Sequence, residues 1–171
     1  MDHDALRQLI DTPTYSPVEA ARFLGVPAAA MQARCFKAAA APAHVCRKLL
    51  SFANLCQAYI LASQHRLGGH PKDGLVTACK LVPAALARIE WADRDIPVRL
   101  FPVPAGVPLS SNPPWDVAID ARICFGRPVL LKAGVLTSVI RERFTAGDTI
   151  SEMAADFGVD AAAIEEALRF E

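Results

Sequence analysis

The clearest pattern of apolar and polar positions lies in the last third of the chain and predicts three short helices joined by tight turns. The first helix has four apolar residues on one face: Leu136, Val139, Ile140 and Phe144. Gly147 follows and suits the left-handed conformation that ends a helix. Thr149 and Glu152 have the spacing of a capping box for the second helix, Gly158-Val159 makes the next corner, and Asp160 is a candidate cap for the third helix.

The same outline recurs near the start of the chain, 133 positions earlier (149 − 16), where Ser16 corresponds to Thr149. Ser16 and Glu19 have capping-box spacing, Pro17 occupies the first helical position, and Gly25-Val26 makes the corner. Helix, Gly-Val corner and helix is the outline of a helix-turn-helix unit. The sequence therefore predicts one such unit near each end of the chain.

Between these two units the pattern predicts further helices and then short strands. Residues 47–66 have an almost all-round apolar surface, which is typical of a helix in a core or a dimer interface, and a second helical stretch spans 75–91. Residues 96–103 alternate as a strand does, and three shorter strand candidates follow at 115–119, 122–125 and 128–131.

These elements predict a mainly α fold with a small β element. An N-terminal helix-turn-helix domain with core helices would occupy residues 1–91, and a strand with a proline-rich linker would occupy 92–115. A C-terminal three-helix domain, helix-turn-helix-like and preceded by short strands, would occupy 116–171.

The net charge of zero conceals an uneven distribution of charge. Residues 1–72 contain eight Lys/Arg and four Asp/Glu, whereas residues 73–171 contain ten and fourteen. A basic N-terminal part suits a polyanion such as DNA, although a merely solvated basic face is the alternative. Because the C-terminal unit carries Asp156, Glu165 and Glu166, phosphate would repel it, and only the first unit is a candidate DNA reader.

Composition argues against a catalytic or metal site. The five cysteines form no Cys-x-x-Cys, the four histidines lack metal-ligand spacing, and no glycine-rich phosphate loop or Ser-His-Asp set occurs. We therefore predict a protein that is not an enzyme and has no cofactor. The acidic start is unlike a signal peptide, and the longest apolar tract, at 49–63, is too short to span a bilayer. We expect a cytoplasmic protein with no membrane partner.

Two tracts resemble a known bacterial family. Val117-Ala118-Ile119-Asp120, Gly126-Arg127-Pro128-Val129-Leu130 and the Gly158-Val159 corner resemble domain of unknown function 433. The part from Tyr15-Ser16-Pro17 to Gly25-Val26-Pro27 resembles the MerR-like helix-turn-helix of longer members. Such members look like VapB-type antitoxins of PIN-domain ribonuclease toxins. The resemblance therefore implies neutralisation of a toxin combined with repression of the protein's own operon.

In the DNA-binding interpretation, the helix at 27–37 enters the major groove. Its alanine-rich sequence leaves Gln32, Arg34 and Lys37 to contact DNA, and further phosphate contacts would come from Arg22, Arg47 and Lys48. One such unit binds weakly, so we expect at least a homodimer on operator DNA. The alternative is that both units are compact folds used only for packing.

Toxin binding requires that the chain cover an acidic, metal-dependent nuclease site. The candidate contacts are three cations near the proline-rich segment: Arg122, Arg127 and Lys132. Two other functions remain open, a stand-alone helix-turn-helix transcription regulator and a protein-interaction module without DNA binding.

Overall fold

A computed structural model of the chain describes residues 2–27, 49–66, 88–93, 96–103 and 115–171. Those residues form six α-helices: α1 (His3–Asp11), α2 (Pro17–Phe23), α3 (Phe52–Arg66), α4 (Thr137–Ala146), α5 (Ile150–Phe157) and α6 (Ala161–Phe170). They also form five strands: β1 (Ile89–Asp93), β2 (Ile96–Leu100), β3 (Val117–Asp120), β4 (Pro128–Leu130) and β5 (Val135–Leu136).

The five strands make one antiparallel sheet in the order β1-β2-β3-β4-β5. Strand β3 is buried along its whole length, as expected for a central strand covered on both faces. Strand β2 pairs with β3 at Arg99↔Asp120 and Leu100↔Ile119. Residues on either side of the predicted linker therefore share one sheet, and the fold is mixed α/β with a larger β part than the sequence predicted.

Among the described residues, one apolar core joins the helices from both ends of the chain to this sheet. It includes Leu6 of α1, Phe23 of α2, Tyr59 of α3, Ile119 of β3 and Ile164 of α6. Helices α1 and α3 pack against each other and against β2, while α4 and α6 pack against β4. The burial of these apolar side chains supplies most of the stabilising free energy.

The start and end signals predicted for the C-terminal helices are present. The Thr149 hydroxyl accepts a hydrogen bond from the Glu152 amide at 3.2 Å, and the Glu152 carboxylate accepts one from the Thr149 amide at 2.8 Å. Gly147 is left-handed, with φ of 111°. Asp160 occupies the cap position of α6, but its side chain makes no capping hydrogen bond.

The predicted helix at 47–66 begins later than expected, at Phe52. Leu50 instead forms an isolated antiparallel bridge with Tyr15, whose carbonyl accepts a hydrogen bond from the Leu50 amide at 2.7 Å. The Ser51 hydroxyl then caps α3 by accepting a hydrogen bond from the Asn54 amide at 3.2 Å. Tertiary pairing with the Tyr15 segment overrides the helical pattern here.

Two further element predictions are wrong. Residues 89–91, placed at the end of a helix spanning 75–91, belong to β1 and pair with β2, because cross-strand pairing outweighs local helical periodicity; residues 75–87 lie outside the described ranges. Residues 122–125, predicted as a strand, form a turn instead. Cys124 and Phe125 have positive φ, which is incompatible with an extended strand.

Candidate interaction site

Helix α2 and the corner after it are the described part of the segment predicted to form the N-terminal helix-turn-helix unit. The Ser16 amide donates to the Glu19 carboxylate at 2.9 Å, and the Ser16 hydroxyl accepts from the Glu19 amide at 3.2 Å, which completes the predicted capping box. Gly25 is left-handed with φ of 59°, and the Val26 amide donates to the carbonyl five residues earlier at 3.0 Å.

The corner between α5 and α6 has the same backbone geometry. Gly158 has φ of 64°, and the Val159 amide also donates to the carbonyl five residues earlier at 3.0 Å. The helix and corner that open the two units therefore correspond in structure as well as in sequence. The second helix predicted for the N-terminal unit, at 27–37, falls almost wholly on residues outside the described part of the chain.

The ends of α2 and α6 pack against each other. The rings of Phe23 and Phe170 stack, with centroids 6.1 Å apart and an angle of 25° between their planes. The carboxylate of Glu171 pairs with the Arg22 guanidinium at 3.2 Å and accepts a hydrogen bond from the Thr137 hydroxyl at 2.5 Å. Aromatic and charged contacts therefore join the described parts of the two units.

Arg22 is the one DNA-contact candidate that lies in the described ranges. Its guanidinium pairs with Glu171 and lies 5.3 Å from the centre of the Phe23 ring, although half of its side chain is exposed. A DNA phosphate would have to compete with Glu171 for this guanidinium. The other five candidates lie outside the described residues: Gln32, Arg34, Lys37, Arg47 and Lys48.

A strained turn between β3 and β4 presents an aromatic side chain to solvent. Cys124, Phe125 and Gly126 have φ of 48°, 55° and 71°, so three consecutive residues have the positive φ that favours glycine. Among the described residues, Cys124 and Phe125 are the two non-glycine residues with positive φ. This conformation costs about 1–2 kcal/mol for each residue with a Cβ. Phe125 is nevertheless 90% exposed, so no burial of its ring in this chain offsets the strain.

A hydrogen bond from Tyr15 fixes the end of this turn. The buried Tyr15 hydroxyl donates it to the Gly126 carbonyl oxygen at 2.9 Å. Burial raises the pKa of the Tyr15 hydroxyl above its ordinary value, so the group is a neutral donor near neutral pH. A Cβ atom at position 126 would lie 2.1 Å from that hydroxyl oxygen. Glycine is therefore required here by contact as well as by its positive φ.

A buried carboxylate fixes the start of the turn. Asp120, which is fully buried, accepts hydrogen bonds from the Arg99 guanidinium at 3.0 Å and from the Arg122 amide at 2.9 Å. The Arg122 guanidinium adds two contacts, at 2.9 and 2.6 Å. Burial alone would raise the pKa of Asp120, but the hydrogen bonds from Arg122 outweigh it and hold the pKa below its ordinary value.

The other two partner-binding candidates also form ion pairs within the chain. Arg127 pairs with Glu19, the residue that closes the capping box of α2. Burial opposes ionisation of Glu19, but hydrogen bonds from Ser16 and Arg127 lower its pKa. Lys132 lies beyond the other end of the β3–β4 hairpin, 3.2 Å from Asp116. The structure thus brings Arg122 and Arg127 to one end of the hairpin and places Lys132 at the opposite end.

An apolar cleft of about 350 Å³ opens beside the turn. Its walls come from Leu9 and Thr12 at the end of α1, from Tyr15 and Phe52, and from residues 121, 122 and 124–126 of the turn. Phe125 is one of the residues that line it. An exposed ring therefore lies next to a concave apolar surface of the same chain.

Residues 117–170 match the family model described as protein of unknown function (DUF433). This DUF433 segment contains β3 to β5, the strained turn, and α4 to α6. It therefore includes the buried Asp120 and the exposed Phe125, while Tyr15 and Glu19, which hold the turn, lie outside it.

Most of the chain is also similar in structure to Rv2018 from Mycobacterium tuberculosis, known from an X-ray crystal structure. The two share 21% sequence identity with a TM-score of 0.71, over 94% of this chain and 99% of that one. At this identity the likeness shows the fold alone. No curated protein gives a significant match to the sequence.

Sequence reasoning missed the features that shape this site. It assigned residues 122–125 to a strand, in which side chains point alternately to the two faces of the sheet. The structure instead places Phe125 on a turn, with its ring exposed. The pair of Asp120 and Arg122 at two-residue spacing was the available signal for an Asx-type turn.

Within the described ranges, no cluster of His, Cys, Asp or Glu could hold a metal ion, and none of the helices there has the length and apolarity needed to cross a membrane.

Proposed function

We propose that this chain is an antitoxin of a type II toxin-antitoxin system, which neutralises a PIN-domain ribonuclease and represses its own operon. The observation that carries the proposal is the capped helix and left-handed Gly-Val corner at 16–26, which is how a helix-turn-helix unit opens. It precedes the most basic part of the sequence and is followed, further along the chain, by the DUF433 segment.

DNA binding is assigned to the N-terminal unit. In this proposal Gln32 reads a base edge, Arg34 and Lys37 hold phosphates, and Arg47 and Lys48 add contacts outside the groove. The C-terminal unit has the same corner but is acidic on α5 and α6, so phosphate repels it. A homodimer would present two N-terminal units to the two halves of an operator.

Toxin binding is assigned to the three cations of the DUF433 segment. Arg122, Arg127 and Lys132 are 39%, 45% and 51% exposed, and each pairs with a carboxylate of the same chain. A partner that offers metal-binding carboxylates could exchange with Glu19 and Asp116, which are near the surface, more easily than with the buried Asp120. Arg127 and Lys132 are therefore the residues at which the charge of the partner matters most.

The decisive experiment is to tag the chain at its own locus, purify it at moderate salt and determine the masses of the proteins that accompany it. A small stoichiometric protein with metal-dependent ribonuclease activity once freed is the expected result. The double substitution Arg127→Glu and Lys132→Glu should weaken that complex. Arg169→Glu is the matched control, because Arg169 is similarly exposed and pairs with Glu165 of its own helix, α6. If the complex is unchanged by the double substitution, these two cations do not bind the toxin.

Operator binding is tested separately. Replacing Gln32, Arg34 and Lys37 together by alanine should abolish operator binding without unfolding the protein, and binding by the unaltered chain should fall steeply as salt rises. Undiminished binding by the triple variant would refute the assignment of the N-terminal unit as the DNA reader.

Two observations favour other functions. Because all three cations already have carboxylate partners within the chain, the protein could be a stand-alone transcription regulator; self-association with retained operator binding and no co-purifying protein would identify it as such. Because Arg22 is engaged by Glu171 at the junction of the two units, the protein could instead be an interaction module without DNA binding. Absence of salt-dependent operator binding would identify that module.

A further inference from the structure

The turn between β3 and β4 keeps a phenylalanine ring in solvent on a strained backbone. Phe125 has φ of 55°, a conformation that is costly for a residue with a Cβ, and its ring is 90% exposed. An isolated exposed apolar side chain is common on protein surfaces. Here, however, it coincides with backbone strain, which persists where the surrounding structure holds it and which concentrates at functional positions. The ring is therefore a candidate for contact with another molecule.

Buried contacts fix the backbone on both sides of Phe125. On one side the Asp120 carboxylate accepts a hydrogen bond from the Arg122 amide at 2.9 Å, and on the other the Tyr15 hydroxyl donates one to the Gly126 carbonyl oxygen at 2.9 Å. The turn is thus held in its strained form in the free chain. Little of it remains to be ordered on association, which favours a tight contact.

Two guanidinium groups flank the ring, three residues before it and two residues after it. The side chain of Arg122 is 39% exposed and is held by the buried Asp120. The side chain of Arg127 is 45% exposed and pairs with Glu19, which is itself 30% exposed. Because Glu19 reaches solvent, Arg127 can exchange it for a carboxylate of another protein. The chemistry that fits this surface is an apolar pocket with carboxylates at its rim.

We propose that Phe125 is the anchor of the toxin contact, with its ring in the RNA-binding cleft of the ribonuclease and Arg127 paired with carboxylates of the metal site. This inference rests on the proposed function and adds to it a residue that the sequence did not single out. A metal-dependent ribonuclease fits both parts of the contact. Its metal site supplies carboxylates, and the cleft beside that site has to admit a nucleobase, whose place a flat aromatic ring can take.

A ring beside guanidinium groups also occurs on surfaces that bind single-stranded nucleic acid. The charges of this surface favour a protein partner instead. Glu19 and Asp120 balance the charges of Arg127 and Arg122, so the turn lacks the excess of positive charge on which nucleic-acid binding depends.

The test uses the purified full chain and the ribonuclease recovered with it from its own locus, prepared separately. Titration calorimetry measures the dissociation constant, and cleavage of an RNA substrate measures inhibition. Phe125→Asn removes the ring, and because asparagine tolerates the left-handed conformation the fold should persist, as circular dichroism will show. The variant should raise the dissociation constant at least about tenfold and weaken inhibition in parallel, as expected for an anchor residue.

The matched control is Phe144→Asn, which removes a ring that is 47% exposed on α4 and should leave both readouts unchanged. If Phe125→Asn raises the dissociation constant by less than about tenfold, the anchor assignment is wrong while the antitoxin function stands. If no ribonuclease accompanies the unaltered chain, the proposed function fails and the anchor fails with it. Binding of a single-stranded RNA oligonucleotide by the chain alone, lost in Phe125→Asn, would assign the ring to nucleic acid and overturn the proposal.

Discussion

The hydroxyl of Tyr15 donates a hydrogen bond to the carbonyl oxygen of Gly126, 111 positions further along the chain. Tyr15 immediately precedes the capping box of α2, and Gly126 ends the strained turn that carries Phe125. The ion pair between Arg127 and Glu19 joins the same two segments. Two polar contacts therefore join the segment that begins α2 to the exposed turn of the DUF433 segment. A substitution in either segment should alter the stability of the other.

Replacing Tyr15 by Phe should destabilise the protein by about 1–2 kcal/mol, because the buried Gly126 carbonyl would lose its donor while the ring is kept. For a chain of this length that is a fall in melting temperature of roughly 2–8 °C. Urea unfolding followed by circular dichroism measures it. The control is Thr145→Val, which removes an exposed hydroxyl that donates to a carbonyl of the same helix and should cost under about 0.5 kcal/mol. Equal effects of the two substitutions would argue against a special role for the Tyr15 contact.

Gly126→Ala should be far more damaging than Gly134→Ala. Both glycines have positive φ, 71° and 65°, so both variants incur the left-handed strain of about 1–2 kcal/mol. At Gly134 nothing lies within 4 Å of the added Cβ, whereas at Gly126 the Tyr15 hydroxyl lies 2.1 Å away. We expect the Gly126 variant to lose roughly 2 kcal/mol more, because the Tyr15 hydrogen bond must break as the ring moves. Comparable loss in the two variants would mean that the ring moves aside freely.

The Gly126→Ala and Tyr15→Phe substitutions should also be strongly non-additive. Once the hydroxyl is removed, the nearest obstacle to the new Cβ is the ring carbon at 3.1 Å, which a small shift relieves. A double-mutant cycle measured by chemical unfolding should therefore give a coupling of about 1 kcal/mol or more. If the two losses of unfolding free energy are additive, the added Cβ does not clash with the Tyr15 hydroxyl.

The sequence predicted the parts of the fold that depend on neighbouring residues and missed the parts that depend on distant ones. The capping boxes of α2 and α5 and the left-handed Gly25, Gly147 and Gly158 followed from local spacing, because caps and helix ends depend on only a few neighbouring residues. The start of α3 and the strand β1 did not, since both are decided by pairing with distant segments.

The same distinction applies to the candidate site. Arg122, Arg127 and Lys132 were predicted as partner contacts, and the structure shows that all three side chains are partly exposed. Their carboxylate partners were not predicted, because Glu19 lies 108 positions from Arg127 and no local pattern connects them. The exposure of Phe125 was also missed, since an aromatic residue in an apolar sequence reads as buried.

Phe125→Asn should stabilise the monomer by about 0.5–1 kcal/mol. The ring makes little contact with its own chain, and asparagine adopts positive φ at lower cost than phenylalanine. Thermal unfolding at a concentration that keeps both proteins monomeric measures the effect. Phe144→Asn, at an exposed position within α4, should instead lower stability slightly because asparagine is a poor helix former. A lower melting temperature for the Phe125 variant would mean that the ring packs within its own chain.

Asp120 should make the stability of the protein dependent on pH in the acid range. Its pKa in the folded chain lies below the unfolded value of about 3.9, because hydrogen bonds from Arg122 outweigh the effect of burial. Its stabilising contribution is therefore fully present above that value and is lost as pH falls through it towards the folded pKa. Asp120→Asn should cost roughly 2–3 kcal/mol at pH 7, somewhat less than for a fully buried pair because Arg99 and Arg122 reach solvent.

The Asp120→Asn variant should also show a shallower loss of stability between about pH 5 and pH 2 than the unaltered chain, since one carboxylate that favours the folded state has been removed. Urea unfolding at a series of pH values gives both curves. Glu165→Gln serves as control, because its exposed pair with Arg169 should contribute under about 0.5 kcal/mol and leave the slope nearly unchanged. Parallel curves for the Asp120 variant and the unaltered chain would mean that Asp120 keeps an ordinary pKa, and that packing rather than charge fixes the start of the turn.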